Sequence, residues 1–284
     1  MSKVGQKLSL TVNCPSCPIT PNFDNCCETM TFFSKLLGKT KTAPSASSSG
    51  EELAPAAVPI IGSGTLNSFE RVWEYREETL YPKLFGESSQ RIYPLDFELF
   101  EKVFPGQAID PRWLHLGVFE FRPTASRKSW LYVTSGASTP WEVEPADYDS
   151  DGYSWLGVEF VMETVEQAEW PIHVLRRLLA YHVLVCHERF GDIQPLDYGH
   201  RVPAGGPIDW SDNSKLTFLA IAKPAHYQAS AQLESGRFDF LHVVGITEQE
   251  RDYAKSTSTA ALIEKMEVSG AFPVTLPKRD SILI

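Results

Sequence analysis

The chain has 284 residues, is 43% hydrophobic, and carries a formal net charge of −10 from 26 Lys and Arg against 36 Asp and Glu. That length buries one large core or two small ones. No run of about 18 apolar residues occurs and the N-terminus lacks the apolar region of a secretory signal, so a membrane partner is not expected and a cytoplasmic location is. The acidic balance argues against nucleic acid, which needs clustered Lys and Arg, and favours a basic protein partner.

Four of the five cysteines, Cys14, Cys17, Cys26 and Cys27, fall in the first tenth of the chain. Four thiolates could hold zinc, but adjacent Cys26 and Cys27 cannot form the second C-x-x-C loop that structural sites use. The segment reads as a poorly ordered leader, and Met30, opening "MTFFSKLLGKTK", reads as a natural start. Residues 40–65 are rich in Ala, Ser, Pro and Gly without a sustained period, which marks a linker. The expected division is therefore a disordered leader over 1–65 and one domain over 66–284. Residues 1 to about 65 offer too few periodic apolar side chains to offset their ordering entropy. A chain beginning at Leu66 is thus expected to melt cooperatively within a few degrees of the full-length protein in a calorimetric scan, and a larger loss would favour a docked leader.

Order is expected from Asn67, an N-cap with Glu70 three residues on. Phe69, Trp73, Glu77 and Leu80 fall near one helical face, and the helix is predicted to end before Pro82. Residues 113–121, 129–134 and 153–164 are rich in aromatic and β-branched residues and read as strands of one sheet. In the last, Leu156, Val158, Phe160 and Met162 alternate with Trp155, Gly157, Glu159 and Val161. "WPIHVLRRLLAYHVLVCHERFG" predicts a second helix with Pro171 in its first turn and Gly191 as its stop. Apolar residues ring most of it, so it should be the structural centre. Two more strands are predicted at 215–222 and 238–246. Thr247 and Glu250 form a capping box for a last helix reaching about Met266, followed by an extended tail. This order gives an α+β fold, a mixed β-sheet packed with helices.

Residues 66 to about 280 resemble the Suppressor of fused domain. The resemblance is carried by "YVTSGAS" (132–138), "GVEFVMET" (157–164), "WPIHVLRRLLAYHV" (170–183), "GHRVPAGGPIDWSDNSKLTFLAI" (199–221) and "FDFLHVVGITEQE" (238–250). It implies protein binding rather than catalysis. Eukaryotic members are two-domain proteins that grip a peptide of Hedgehog-pathway zinc-finger transcription factors between their domains. This chain ends after the first domain, so of those contacts only Asp151 carries over. Short single-domain relatives are typical of bacteria, where the resemblance implies an immunity protein that neutralises a toxin.

Ser135 in "TSGAS" raises the competing reading, a hydrolase. A serine nucleophile needs a base and an orienting third group, and none of the seven histidines stands at a spacing that selects it. Val133 also occupies the first glycine position of G-x-S-x-G. Ser135 therefore reads as part of a turn, with Gly136 ending the strand. His173, His182 and His187 lack the i, i+4 spacing of a zinc helix, and Cys186 reads as a small buried residue. Asp147, Asp149, Asp151 and Gly152 reproduce half of a calcium loop, the other route to a metal-dependent enzyme, but the twelfth position is Val158 and Glu159 falls one residue late. No catalytic residue, metal or cofactor is expected. What remains is charge: between Ser129 and Leu175 there is no Lys or Arg but nine Asp and Glu. Glu142, Glu144, Asp147, Asp149, Asp151 and Glu159 are the expected contacts for a basic partner.

Overall fold

The computed structural model describes residues 67–283, so the expectations for Cys14, Cys17, Cys26 and Cys27, the linker and the boundary at residue 65 lie outside the described residues. The first helix opens as the sequence indicates. The Asn67 side chain accepts from the Glu70 N–H at 2.9 Å and the Glu70 carboxylate accepts from the Asn67 N–H at 3.0 Å, a reciprocal cap worth about 1 kcal/mol. Helix α1 (Ser68–Glu74) does not stop before Pro82. It widens into a π turn over Tyr75–Leu80, with the Tyr81 N–H reaching back to the Arg76 carbonyl, and resumes as α2 (Tyr81–Phe85). Proline lacks a donor and crowds the carbonyl four residues earlier; the wider π turn before Pro82 makes room for the ring.

Among the described residues nine strands form one sheet: β1 (Ser88–Pro94), β2 (Gly117–Phe121), β3 (Trp130–Ser135), β4 (Tyr153–Thr164), β5 (Arg201–Pro203), β6 (Leu216–Ala222), β7 (Ser230–Leu233), β8 (Gly236–Thr247) and β9 (Val274–Thr275). The main path runs β1-β2-β3-β4-β8-β6-β5, with β7 also on β8 and β9 also on β4. Neighbours are antiparallel except β4 with β8 and β4 with β9. The mixed sheet of the expected fold is therefore present. The strand predicted at 113–121 begins later, because Pro111–His115 form a 3-10 helix capped by Asp110. Helix α3 (Phe97–Val103) lies between β1 and β2.

The parallel β4–β8 pairing requires a crossover, and α4 (Trp170–Cys186) supplies it with Pro171 in its first turn. It ends at Cys186, not at Gly191. Glu188 takes the left-handed backbone at φ +56° that a glycine would usually occupy. The Glu188 and Arg189 N–H groups then close on the Val185 and Leu184 carbonyls, both at 2.9 Å, in a Schellman arrangement. The last helix is also two: α5 (Glu248–Ser256), opened by the Thr247/Glu250 capping box, and α6 (Thr259–Ser269), with Ser258 as its own N-cap.

Strand alternation sorts the core onto the two faces of the sheet. Tyr132, Phe160, Met162, Leu241 and Val243 pack under α4. Leu131, Val133, Val161, Phe238 and Phe240 pack against Val72, Leu80, Tyr81 and Phe85 of α1 and α2 on the other face. Further along that second face, Val244 and Ile246 meet Ala254, Leu262 and Met266 of α5 and α6. In β4 the register with β8 shifts between Tyr153 and Val158, where Trp155 (φ +51°) and Gly157 (φ +67°) form a bulge. A Cβ at Gly157 would stand 2.5 Å from the Tyr153 ring, so this bulge requires glycine.

Candidate functional site: an acidic loop and groove on a buried clamp

At the end of β3 the chain turns sharply through Gly136 (φ +124°), where a Cβ would lie 2.5 Å from Leu116 Cγ. Beneath this turn sits a buried ionic clamp. Glu159, fully buried, accepts from Thr134 Oγ1 (2.6 Å), Ser138 Oγ (2.7 Å) and the Gly136 and Ser138 N–H groups (3.0 Å each). Arg76, also fully buried, lies 4.0 Å from that carboxylate and donates to Ser135 Oγ (2.8 Å), Ser138 Oγ (3.1 Å) and Thr139 Oγ1 (2.7 Å). The Tyr81 hydroxyl donates to the Thr134 carbonyl at 2.8 Å, and burial first, then the Glu159 charge, pushes its pKa well up.

The clamp corrects one expectation. Glu159 was expected at the interface, but strand alternation points it at Arg76 of the π turn, where no partner reaches it. Ser135 Oγ is occupied as well: it accepts from Arg76 and donates to Glu77 Oε1 at 2.5 Å, and no histidine is among its hydrogen-bond partners. Cys186 is partly buried, with its thiol pushed up to about 12 by burial.

From this fixed turn the chain runs outward, and Glu142, Glu144, Asp147, Asp149 and Asp151 are all exposed. Glu142 is partly neutralised by Arg112 (3.3 Å) and stands 3.6 Å from the His187 ring nitrogen. Glu144, Asp147 and Asp151 have no ion pair among the described residues. Asp149 Oδ1 accepts the Asp151 N–H at 2.9 Å, and Gln232 ties the loop to β7 by donating to the Ser150 carbonyl at 3.0 Å. Among the described residues no group of three His, Cys, Asp or Glu is placed to hold a metal, the Asp147–Asp151 loop included.

Behind the loop an open groove of about 730 Å³ runs between the first helix and the β7–β8 hairpin. Glu74, Glu78 and Glu234 line it, with Tyr75 46% exposed at its wall; Arg71, paired with Glu234 at 3.0 Å, is the cation among its lining residues. Tyr148 joins loop to groove: burial raises its hydroxyl pKa, and the charges of Glu234 and Glu144 both add to the rise. The groove carboxylates were missed from sequence. Their signal was the Glu70, Glu74, Glu78 spacing of four, which puts acids in a row along one helix face. Aromatic rings flank the loop, with Phe69, Trp73 and His115 all within 6.2 Å of the Trp141 ring.

The profile of the Suppressor of fused protein (SUFU) family matches residues 112–280. No curated protein matches the chain. Among solved structures, one described as the Sufu–Fu complex aligns at TM-score 0.52 and 17% identity, over 76% of this chain and 92% of that one. Drosophila Suppressor of Fused aligns at 0.46 and 18% identity, over 59% of this chain, which spans only 42% of the Drosophila chain. A chain described as a SUFU homolog from Neisseria gonorrhoeae FA 1090 aligns at 0.48 and 18%, over 76% of this chain and 97% of that one. The likeness to the Sufu–Fu structure supports the fold. The family match, which spans more than half of the residues and contains the buried clamp's strands, turn and outer loop, decides the assignment: this chain belongs to the Suppressor of fused family.

Proposed function

We propose that this chain is a non-catalytic protein-binding domain whose acidic loop and groove receive a basic segment of a protein partner, and that the partner is a toxin which the chain neutralises in the cytoplasm. The observation that carries this reading is the set of exposed carboxylates that form no ion pair among the described residues, Glu144, Asp147 and Asp151, linked through Tyr148 with the groove that Glu74, Glu78 and Glu234 line. A rigid clamp holds the loop, so its charges are presented without a large ordering cost. Clustered charge of one sign raises the encounter rate with an oppositely charged protein, and many nucleic-acid-cleaving toxins are basic. The solved relative described as a Sufu–Fu complex supports a protein partner. Among the described residues no helix is long and apolar enough to cross a membrane.

The test replaces Asp147, Asp149 and Asp151 together with Asn and measures association with the product of the neighbouring gene, the first partner an immunity role implies. The association rate is expected to fall about tenfold at 0.05 M salt and by less at 0.2 M, where screening acts over less than about 10 Å. Unchanged association with unchanged salt dependence would remove the acidic surface from the mechanism. A calcium-dependent rise in melting temperature, lost in the same variant, would instead make the loop a metal site.

A further inference from the structure

A second polar surface lies on α4, away from the acidic loop. In a chain with ten more acids than bases, the arginines drawn out of solvent find acceptors. Arg76 has Glu77, Glu159 and three hydroxyls, Arg127 three backbone carbonyls, Arg176 the Asp96 carboxylate at 2.5 Å and Arg279 the Glu250 carboxylate at 2.5 Å. Arg177 is the exception: half-buried, it has no hydrogen-bond acceptor or ion pair among the described residues. Burial alone acts on its pKa, downward, with no carboxylate to oppose it. None of its nitrogens is among the buried atoms that lack a partner, so the guanidinium stays open to water and to an incoming carboxylate.

Beside it stands Trp210, 51% exposed, with its backbone at φ +57°. A left-handed tryptophan costs about 1–2 kcal/mol. The surrounding turn holds it there: its N–H donates to the Pro207 carbonyl at 3.0 Å, Ile208 is buried, and Asp209 Oδ1 accepts the Ser211 N–H and hydroxyl at 3.1 and 2.8 Å. The Arg177 guanidinium carbon lies 6.0 Å from the Trp210 ring centre, and the His173 ring meets it edge-on at 5.1 Å. Val174, Leu178, Ala204, Ile208 and Leu219 form an apolar floor with a cleft of about 20 Å³. That is far below the roughly 300 Å³ a small-molecule site needs, so the surface suits side chains laid across it.

We infer that Arg177 and Trp210, backed by His173, form a recognition site for an Asp or Glu side chain next to an apolar residue on a protein partner. The carboxylate pairs with the guanidinium and the apolar neighbour covers the tryptophan face. Asp96 is paired with Arg176, Asp209 accepts from Ser211, Glu169 acts on His173, and none of them forms an ion pair with Arg177 among the described residues. A phosphate is the poorer fit, because among the described residues at this surface Arg177 is the one cation without a counter-charge and phosphate recognition gathers several. The site stands independently of the acidic surface, about 15 Å from His187 along the helix by its rise per residue.

The test is an array of twelve-residue peptides in which acidic and apolar positions vary independently, with phosphoserine and free-C-terminus versions included, probed with the full chain. Wild type is expected to prefer internal Asp or Glu beside Leu, Phe or Trp. Arg177→Gln should lose that preference about tenfold, Arg177→Lys should keep the demand for an acid, and Trp210→Ala should keep the acid but lose the demand for an apolar neighbour. A thermal melt of each variant verifies folding, and the charge-retaining lysine separates lost charge from lost structure. Absence of any selection, selection indifferent to Arg177→Gln, or stronger binding of phosphoserine or free-C-terminus peptides would each overturn the inference.

Discussion

Replacing Glu159 with alanine is expected to destabilise the protein by about 4 kcal/mol, lowering the melting temperature by roughly 8–16 °C for a domain of this size. The carboxylate accepts four hydrogen bonds in a dry site. Its removal leaves the Gly136 and Ser138 N–H groups without acceptors, and an unmet buried polar group costs about 1–3 kcal/mol. It also leaves Arg76, already with an unpartnered Nε, with Glu77 at 3.2 Å as its remaining carboxylate. Arg76→Met should behave similarly, while Arg76→Met with Glu159→Met should cost clearly less than the two single losses added, because both charges are then absent. Asp147→Ala, on the exposed loop, should fall within about 0.5 kcal/mol. A Glu159→Ala loss below about 1 kcal/mol in urea titrations would mean that the clamp is decoration and the loop is held by other means.

The same residue shows where the sequence was legible and where it was not. The bounds of β4 were readable at 153–164 because alternating aromatic and β-branched residues declare a strand locally. The alternation even separated Glu159 from Phe160. It could not tell which face is dry, because the cover over Glu159 comes from Arg76 in the π turn some 80 residues earlier, and a strand's second face looks polar whether water or an arginine meets it. Capping boxes at Asn67 and Thr247 were legible for the same local reason. Helix ends were harder: Pro82 reads as a stop unless a π turn precedes it, and Glu188 gives no sign that it takes the conformation expected of Gly191. The acidic loop was visible as a run. The groove was not, since it joins Glu74 and Glu78 of the first helix to Glu234 of a distant hairpin, and only the fold brings them together.

The pH dependence of stability is expected to separate into two windows, with His182 dominating the upper one. Its side chain is 1% exposed in the middle of α4, its Nδ1 accepts the Leu196 N–H at 3.3 Å, and the Phe160 ring lies 5.3 Å away. Burial, with a smaller contribution from His200, lowers its pKa from 6.5 to about 3. The unfolded chain therefore takes up a proton near pH 6.5 that the folded chain refuses until about pH 3. Stability is full above pH 6.5 and falls as pH drops through that interval, by about 1.4 kcal/mol per unit once His182 of the unfolded chain is mostly protonated. Down to pH 4.5 this histidine alone removes about 3 kcal/mol. His173, His200 and His242, lowered chiefly by burial, steepen the same limb. The carboxylates act lower: Asp96 and Glu250, held below their usual range by Arg176, Arg279 and backbone N–H groups despite burial, contribute stability that is present above pH 4.5 and lost below it. His182→Asn keeps an oxygen for the Leu196 N–H and removes the titrating ring. Urea unfolding across pH 4.5–7.5 should show the variant offset by a constant at neutral pH but with a visibly shallower acid limb. An acid limb as steep as that of wild type would mean that His182 is protonated in the fold and that its burial is not what makes the protein acid-labile.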